Sequence, residues 1–145
     1  VSSPRDGTGN VYIVIVSTTA QAPTEEEIRI VQEYINTKRP VGANPVVSAA
    51  ESIDVTIVCE IHKTAGYTEE TVKSQIQTDV QAHFLEIAFQ SGVISLNFFK
   101  VSNIISAVSG VSEVVDLTIN GKKDSITADY NKFFSLKGVI ISVTE

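Results

Sequence analysis

The chain is poor in residues that carry chemistry or cross-links. Its 145 residues include no methionine or tryptophan, one cysteine and two histidines. A lone cysteine cannot form a disulfide within the chain, which favours a reducing compartment. No apolar run approaches the roughly 18 residues that a membrane-spanning helix needs. The start at Val1 shows neither a basic segment nor an apolar one, so we expect no signal peptide and a piece of a longer protein.

Positive charge is also scarce. Eleven Lys and Arg stand against seventeen Asp and Glu, which gives a net charge of −6. Nonspecific binding to nucleic acid depends on clustered basic side chains that release counterions, and this sequence has no such cluster. We therefore expect neither a nucleic-acid nor a membrane partner. The apolar fraction of 43% indicates a packed core, in one domain or two small lobes.

The candidate reactive residues are isolated from one another. His62 and Glu60 share the exposed face of a predicted strand, where an exposed histidine is more common than a two-ligand metal site. His83 lies beside an apolar helix stripe, which favours a packing role. Cys59 occupies an inward strand position, where burial raises the pKa of a thiol and weakens it as a nucleophile. An enzyme would need His62 or Cys59 to line a cleft, and we expect no enzymatic activity, cofactor, metal or small-molecule substrate.

The first part of the chain predicts a strand, a helix and a second short strand. Val11–Val16 is a continuous β-branched run, typical of a strand covered on both faces. Thr24 and Glu27 form a capping box at the start of a helix that Pro40 ends. A short strand begins at Val46. The apolar stripe of the helix consists of Ile28, Val31, Tyr34 and Ile35.

The second part begins with the most regular alternation in the chain. Ser52–Lys63 predicts a half-buried strand, and its inward residues are Ile53, Val55, Ile57, Cys59 and Ile61. Thr68 precedes a long helix whose apolar stripe is Val72, Ile76, Val80, Phe84 and Ile87. An extended piece at Val93–Leu96 follows. A third helix is expected between Phe98 and Val108, with either Asn97 or Ser102 as its cap.

The last part predicts strands around a tight turn. Val111–Ile119 reads as a strand, and Asn120-Gly121 is typical of a type I′ hairpin turn, which needs positive φ at both positions. Ser125–Ala128 is the expected returning strand, and Gly138–Thr144 the final strand.

A contact surface is the one site that this sequence predicts. Phe133 and Phe134 lie in a loop-like region, where at most one ring is easily buried. Either both rings belong to the core, or they contact a neighbouring subunit. Ser125–Ala128 and Val139–Val143 are the strand edges at which a partner strand could add. The candidate contact residues are Phe133, Phe134, Ile126, Val139 and Ile141.

These elements predict an α+β fold, with helices packed on mixed or antiparallel sheets in two small strand–helix lobes. Residues 1–50 form the first lobe, expected to complete an upstream domain. Residues 51–145 form the C-terminal α+β lobe, which ends in a β-hairpin and a strand.

The order of these motifs resembles the C-terminal half of baseplate J-like proteins, found in contractile-tailed phages, prophages and related particles. The segments that carry the resemblance are Gly7–Val16, the Lys-Arg-Pro-Val-Gly-Ala run at 38–43, the strand and helix from Ile53 to Ile87, and the ending from Phe99 through Asp116-Leu-Thr-Ile-Asn-Gly121 to Leu136–Val143.

The resemblance implies a structural subunit of the baseplate wedge, without a cofactor, that contacts other baseplate and tail subunits and copies of itself. It implies a place in the tail baseplate of a virion or phage-like particle, assembled in the cytoplasm of a bacterial host. Two other hypotheses stay open at this point: a small α+β ligand-binding or regulatory module, and an enzyme.

Overall fold

The computed structural model describes residues 9–18, 21–88, 90 and 92–144. Within these ranges the chain forms three helices and seven strands in open sheets, which confirms the α+β class. The elements are β1 (Asn10–Ile15), α1 (Glu25–Lys38), β2 (Asn44–Ala49), β3 (Glu51–Lys63), α2 (Glu69–Ala88), β4 (Ile94–Leu96), α3 (Phe98–Ser106), β5 (Val111–Ile119), β6 (Ile126–Ala128) and β7 (Lys132–Thr144).

Three sheets organise the strands. β1 and β2 form a parallel pair, and β4 and β6 an antiparallel one. The main sheet has the order β5-β3-β7, in which β3 is antiparallel to β5 and parallel to β7. This sheet is therefore mixed, with the longest alternating strand at its centre.

The main core lies between this sheet and α2. The predicted stripe of α2 is buried along its whole length, as are Val55, Ile57, Cys59 and Ile61 of β3. Burial of each such aliphatic side chain stabilises the fold by about 1.5–3 kcal/mol. The spacing of apolar residues, every three or four positions on α2 and every two on β3, thus identified the two faces that pack against each other.

The helix starts follow local capping chemistry. Thr24 Oγ1 accepts from the backbone N–H of Glu27 at 3.2 Å, and Glu27 Oε2 accepts from the backbone N–H of Thr24 at 2.7 Å. This second bond is the main reason that the pKa of Glu27 is lowered. Asn97 caps α3, since its Oδ1 accepts from the N–H of Lys100 at 3.0 Å, which decides between the two expected caps.

The predicted turn is present, but its returning strand is not. Asn120 and Gly121 have φ of 50° and 73°, and a single bridge joins Ile119 to Lys122. The chain then leaves β5, and β6 pairs with β4 instead. The hairpin prediction was wrong because β6 buries Ala128 beside β4, and Ser125 Oγ accepts from the N–H of Phe98 at 2.9 Å.

The side chain of Asn120 replaces a strand residue beside β3. Its Oδ1 accepts from the N–H of Thr56 at 2.8 Å, and its Nδ2 donates to the carbonyl of Asp54 at 3.1 Å. The backbone N–H of Asn120 also donates to the carbonyl of Thr56 at 2.9 Å. The turn residue therefore extends the backbone pairing of β3 beyond the end of β5.

The final strand is longer than predicted. β7 begins at Lys132, so Phe133 and Phe134 lie on a strand and not in a loop. Successive strand residues point to opposite faces, and the chain covers both, because Phe133 is 1% exposed and Phe134 is 0% exposed. Of the two alternatives for these rings, the structure therefore shows that both belong to the core, although a loop position would have allowed easy burial of only one.

The first lobe has little core. β1 was expected to be covered on both faces, but all its residues are only half-buried, and α1 buries none of its side chains fully. Gln32 ties α1 to β2: its Oε1 accepts from the N–H of Val47 at 2.8 Å, and its Nε2 donates to the carbonyl of Pro45 at 3.0 Å. The two-lobe division, with residues 1–50 completing an upstream domain, stays a prediction.

Candidate interaction surfaces

The candidate reactive groups are held apart. Cys59 is 2% exposed, and burial raises the pKa of its thiol to about 11. His62 lies on the half-buried outer face of β3, opposite Glu113 of β5 and Thr144 of β7. Among the described ranges, no three His, Cys, Asp or Glu side chains come together as a metal site. The two residues that an enzyme hypothesis needed are thus on opposite faces of one strand.

His83 takes a structural place. Its side chain is almost fully buried, and its Nδ1 lies 3.1 Å from Oε2 of the exposed Glu86. Lys100 Nζ of α3 lies 3.4 Å from the same oxygen. The hydrogen bond from His83, followed by the charge of Lys100, lowers the pKa of Glu86. If the neutral ring carries its proton on Nδ1, the buried Nε2 has no hydrogen to donate and is an acceptor only. This Nε2 has no hydrogen-bond partner within the part of the chain that the structure describes.

The predicted contact residues divide into two groups. Phe133, Phe134 and Ile141 are buried within the chain, so these three residues are not part of an exposed contact surface. Ile126 and Val139 are half-buried. Next to Val139, Ile140 is 57% exposed on the outer face of β7.

A groove runs between β7 and α2. It has a volume of about 630 Å³ and is open to solvent. One wall is Leu136–Val139 of β7, and the other wall is formed by Gln77, Thr78, Gln81, Ala82 and Leu85 of α2. The register with β3 shifts between Leu136 and Gly138, so Lys137 is an unpaired bulge residue at the edge of the sheet. Beyond this bulge, β7 continues regularly to Thr144.

A second apolar region lies along α1. Two pockets separate α1 from β1: one of about 210 Å³ beside Val11 and Ile13, and one of about 320 Å³ beside Ile15. Tyr34 lines the first and Ile30 the second, and both side chains are more than half exposed, at 64% and 53%.

Sequence reasoning missed several of these exposed apolar residues. Ile30 and the 72% exposed Phe99 were not identified, and Tyr34 was assigned to the stripe of α1 that packs. Ile140 fell within the predicted edge Val139–Val143 but was not singled out. Hydrophobic spacing cannot separate a packed residue from its exposed neighbour when both lie on the same side of a helix. The groove also depends on how β7 and α2 meet, for which the sequence carried no signal. No helix among the described residues is both long and apolar enough to cross a membrane.

Comparison with known proteins matches two domain models of one family in succession along this chain. The model of the baseplate J-like protein C-terminal domain matches residues 53–142, and that of the baseplate J-like central domain matches residues 1–49. In Bacillus subtilis (strain 168), the protein YqbT is 28% identical and the phage-like element PBSX protein XkdT is 27% identical, each over 128 residues. These matches cover 83% of this chain but 36% of each relative.

A solved structure shares the fold. A chain of the anti-feeding prophage baseplate, solved by cryo-electron microscopy, superposes with a TM-score of 0.63 at 12% identity. The match covers 88% of this chain and 29% of the other. At this identity the likeness concerns the fold.

Proposed function

We propose that this chain, which belongs to the baseplate J-like protein family, is a structural part of a contractile-tail baseplate and acts through protein–protein contacts. The observation that carries the proposal is that the central and C-terminal domains of the family are matched in succession along this one chain. The similarity to a protein of a phage-like element and the fold shared with a prophage baseplate support the same setting. The proposed partners are other baseplate subunits and copies of this chain, in a particle assembled in the bacterial cytoplasm.

The proposed function consists of contacts between subunits and involves no catalysis. Cys59 is a poor nucleophile because its thiol is buried and its pKa is about 11. The edge of β7 with its neighbouring groove, and the exposed apolar side chains along α1, suit contacts with other chains. We therefore propose a non-enzymatic protein without a cofactor or a substrate of its own.

For the C-terminal lobe we propose contact by strand addition along Val139–Val143. β7 pairs with β3 on one side, and the groove toward α2 lies beside its other side. A partner strand would form main-chain hydrogen bonds with β7 and place alternate side chains in the groove. Val139 lines this groove, and Ile140 is the exposed apolar residue on the outer face of the same strand. Ile126 of β6 is half-buried. Lys137 and its bulge would limit such pairing to the part of β7 that follows.

Mass spectrometry of purified contractile-tail particles from the source organism tests the setting. We expect peptides of this chain in a fixed ratio to other baseplate proteins, in particles that negative-stain images show to carry baseplates. Their absence from intact particles would contradict the proposed function.

A pair of variants tests the contact mode. Ile140→Glu places a charge beside the proposed partner strand and should reduce incorporation into particles. Val93→Glu is the matched control, because Val93 is similarly exposed at 70% but belongs to neither β7 nor the groove lining. Equal incorporation of the two variants would contradict strand addition at β7.

A further inference from the structure

One exposed stripe of α1 has an arrangement that is complementary to itself. Glu27, Ile30, Tyr34 and Lys38 are spaced by three, four and four residues, so they follow one side of the helix. The stripe begins with a negative charge, continues through two apolar residues and ends with a positive charge. All four residues are exposed.

This stripe is separate from the face that packs within the chain. Ile28, Val31 and Ile35 are half-buried, and Gln32 bonds to β2. On the far side of α1, Arg29 is already engaged by two carboxylates, because it forms ion pairs with Glu26 and Glu33. Lys38 forms no ion pair with any described residue, so its charge is available to a partner.

We propose that α1 packs antiparallel against α1 of a second copy of this chain, through the stripe of Glu27, Ile30, Tyr34 and Lys38. In an antiparallel pair related by a two-fold axis, the first residue of the stripe faces the last residue of its copy. Glu27, whose Oε2 caps the helix but whose charge has no basic partner among the described residues, then lies opposite Lys38 of the other copy, and Ile30 lies opposite Tyr34. A parallel pair would instead bring Glu27 toward Glu27 and Lys38 toward Lys38.

The contact buries the exposed apolar part of the stripe at the centre and leaves the charges at the rim. Aromatic residues at the centre of an interface commonly dominate its affinity, whereas rim charges set orientation. The apolar pockets between α1 and β1 adjoin Ile30 and Tyr34, so side chains of the second copy have space to enter. The proposal specifies the self-association within the proposed function and rests on it only for its biological setting, because the dimer is measured on the isolated chain.

Sedimentation velocity and light scattering over a concentration series test the proposal. We expect a reversible dimer of twice the 15.6 kDa mass. Tyr34→Glu should raise the dissociation constant roughly 30-fold or more, as for loss of a central aromatic contact. Tyr130→Glu, at another exposed tyrosine, is the matched control and should leave the constant unchanged. A chain that stays monomeric throughout, or a dimer that Tyr34→Glu does not weaken, would overturn the proposal.

The charges and the orientation have their own tests. Lys38→Glu should weaken the dimer more than Lys122→Glu, which changes the net charge equally at an exposed turn.

Chains with Ile30→Cys, mixed with chains carrying Tyr34→Cys, should form a disulfide between the two positions under oxidation. Each variant alone should cross-link more slowly, and the buried Cys59 should not compete. Faster cross-linking within each variant alone would indicate a parallel pair and overturn the arrangement. Loss of the dimer would leave the particle experiment unaffected, so failure of this proposal is distinguishable from failure of the proposed function.

Discussion

Gly110 is the position at which a single added methyl group should be most damaging. It lies between α3 and β5 with φ of +98°, and a Cβ there would lie 2.7 Å from Tyr67 Cγ and 2.8 Å from both Tyr67 Cδ1 and Val72 Cγ2. Val72 is fully buried, so it cannot move aside. The carbonyl of Gly110 also accepts from the N–H of Thr64 at 2.9 Å, which fixes this loop against the end of β3.

Two separate costs follow for Gly110→Ala. The left-handed backbone strains an L-residue by about 1–3 kcal/mol, and overpacking against the near side of the Tyr67 ring and the buried Val72 adds about 1–3 kcal/mol. Gly66→Ala isolates the first cost, because Gly66 has φ of +94° and nothing within 4 Å of a Cβ. We therefore expect Gly110→Ala to lower the free energy of unfolding by about 1–3 kcal/mol more than Gly66→Ala.

Urea denaturation of the two variants measures this difference. With a slope of about 1–3 kcal/mol per molar urea, the two midpoints should differ by roughly 1 M. Tyr67→Ala removes two of the three close contacts, so Gly110→Ala should cost less in that background. Equal losses for Gly110→Ala and Gly66→Ala, within about 0.5 kcal/mol, would refute the packing argument.

Three further predictions concern single side chains. Asn120→Gly should lower the free energy of unfolding by about 1–2 kcal/mol, because the side-chain bonds to Thr56 and Asp54 are lost. Asn120→Ala should lower it by about 1 kcal/mol more, because the φ of this residue is positive. Equal losses for the two variants in urea denaturation would contradict this prediction. Cys59 should react with a thiol reagent only after unfolding, since a pKa raised from 9.0 to about 11 leaves a hundredfold less thiolate; rapid labelling of the native chain would contradict its burial. The lowered pKa of Glu86 contributes stability that is present above its unfolded pKa and is lost as pH falls through its folded pKa. Glu86→Gln should therefore flatten the acid side of a curve of stability against pH. An unchanged acid side would argue against the bond to His83.

Much of the C-terminal lobe could be predicted from local signals. The alternation of β3 and the spacing of the α2 stripe identified the two buried surfaces, because side-chain direction repeats every two residues in a strand and every three to four in a helix. The capping box at Thr24 and the turn at Asn120-Gly121 were equally local, since each depends on residues within a few positions of one another. The family resemblance rested on the order of these same segments, and the matches over residues 1–49 and 53–142 confirmed it.

The contact surfaces could be predicted only in part. Val139 was identified from the apolar ending, yet Phe133 and Phe134 were placed in a loop, because a Lys-Phe-Phe run gives no sign that a parallel partner lies 81 residues earlier. The pairing of β6 was mispredicted because it also depends on a strand distant in the sequence. β6 pairs with β4, where Ala128 is buried, and the turn before β6 does not determine this. On α1, the exposed Ile30 and the packed Val31 are adjacent apolar residues that only the position of β2 distinguishes.

The sequence by itself determined most of the helices and strands, which of their faces are apolar and, through the order of its motifs, the family. Only the tertiary structure decided which strands pair, that β7 runs parallel to β3, and which apolar residues stay exposed. The physical reason is that periodicity and capping act over a few residues, whereas strand pairing and burial depend on segments that are far apart in the chain and compete for the same partners.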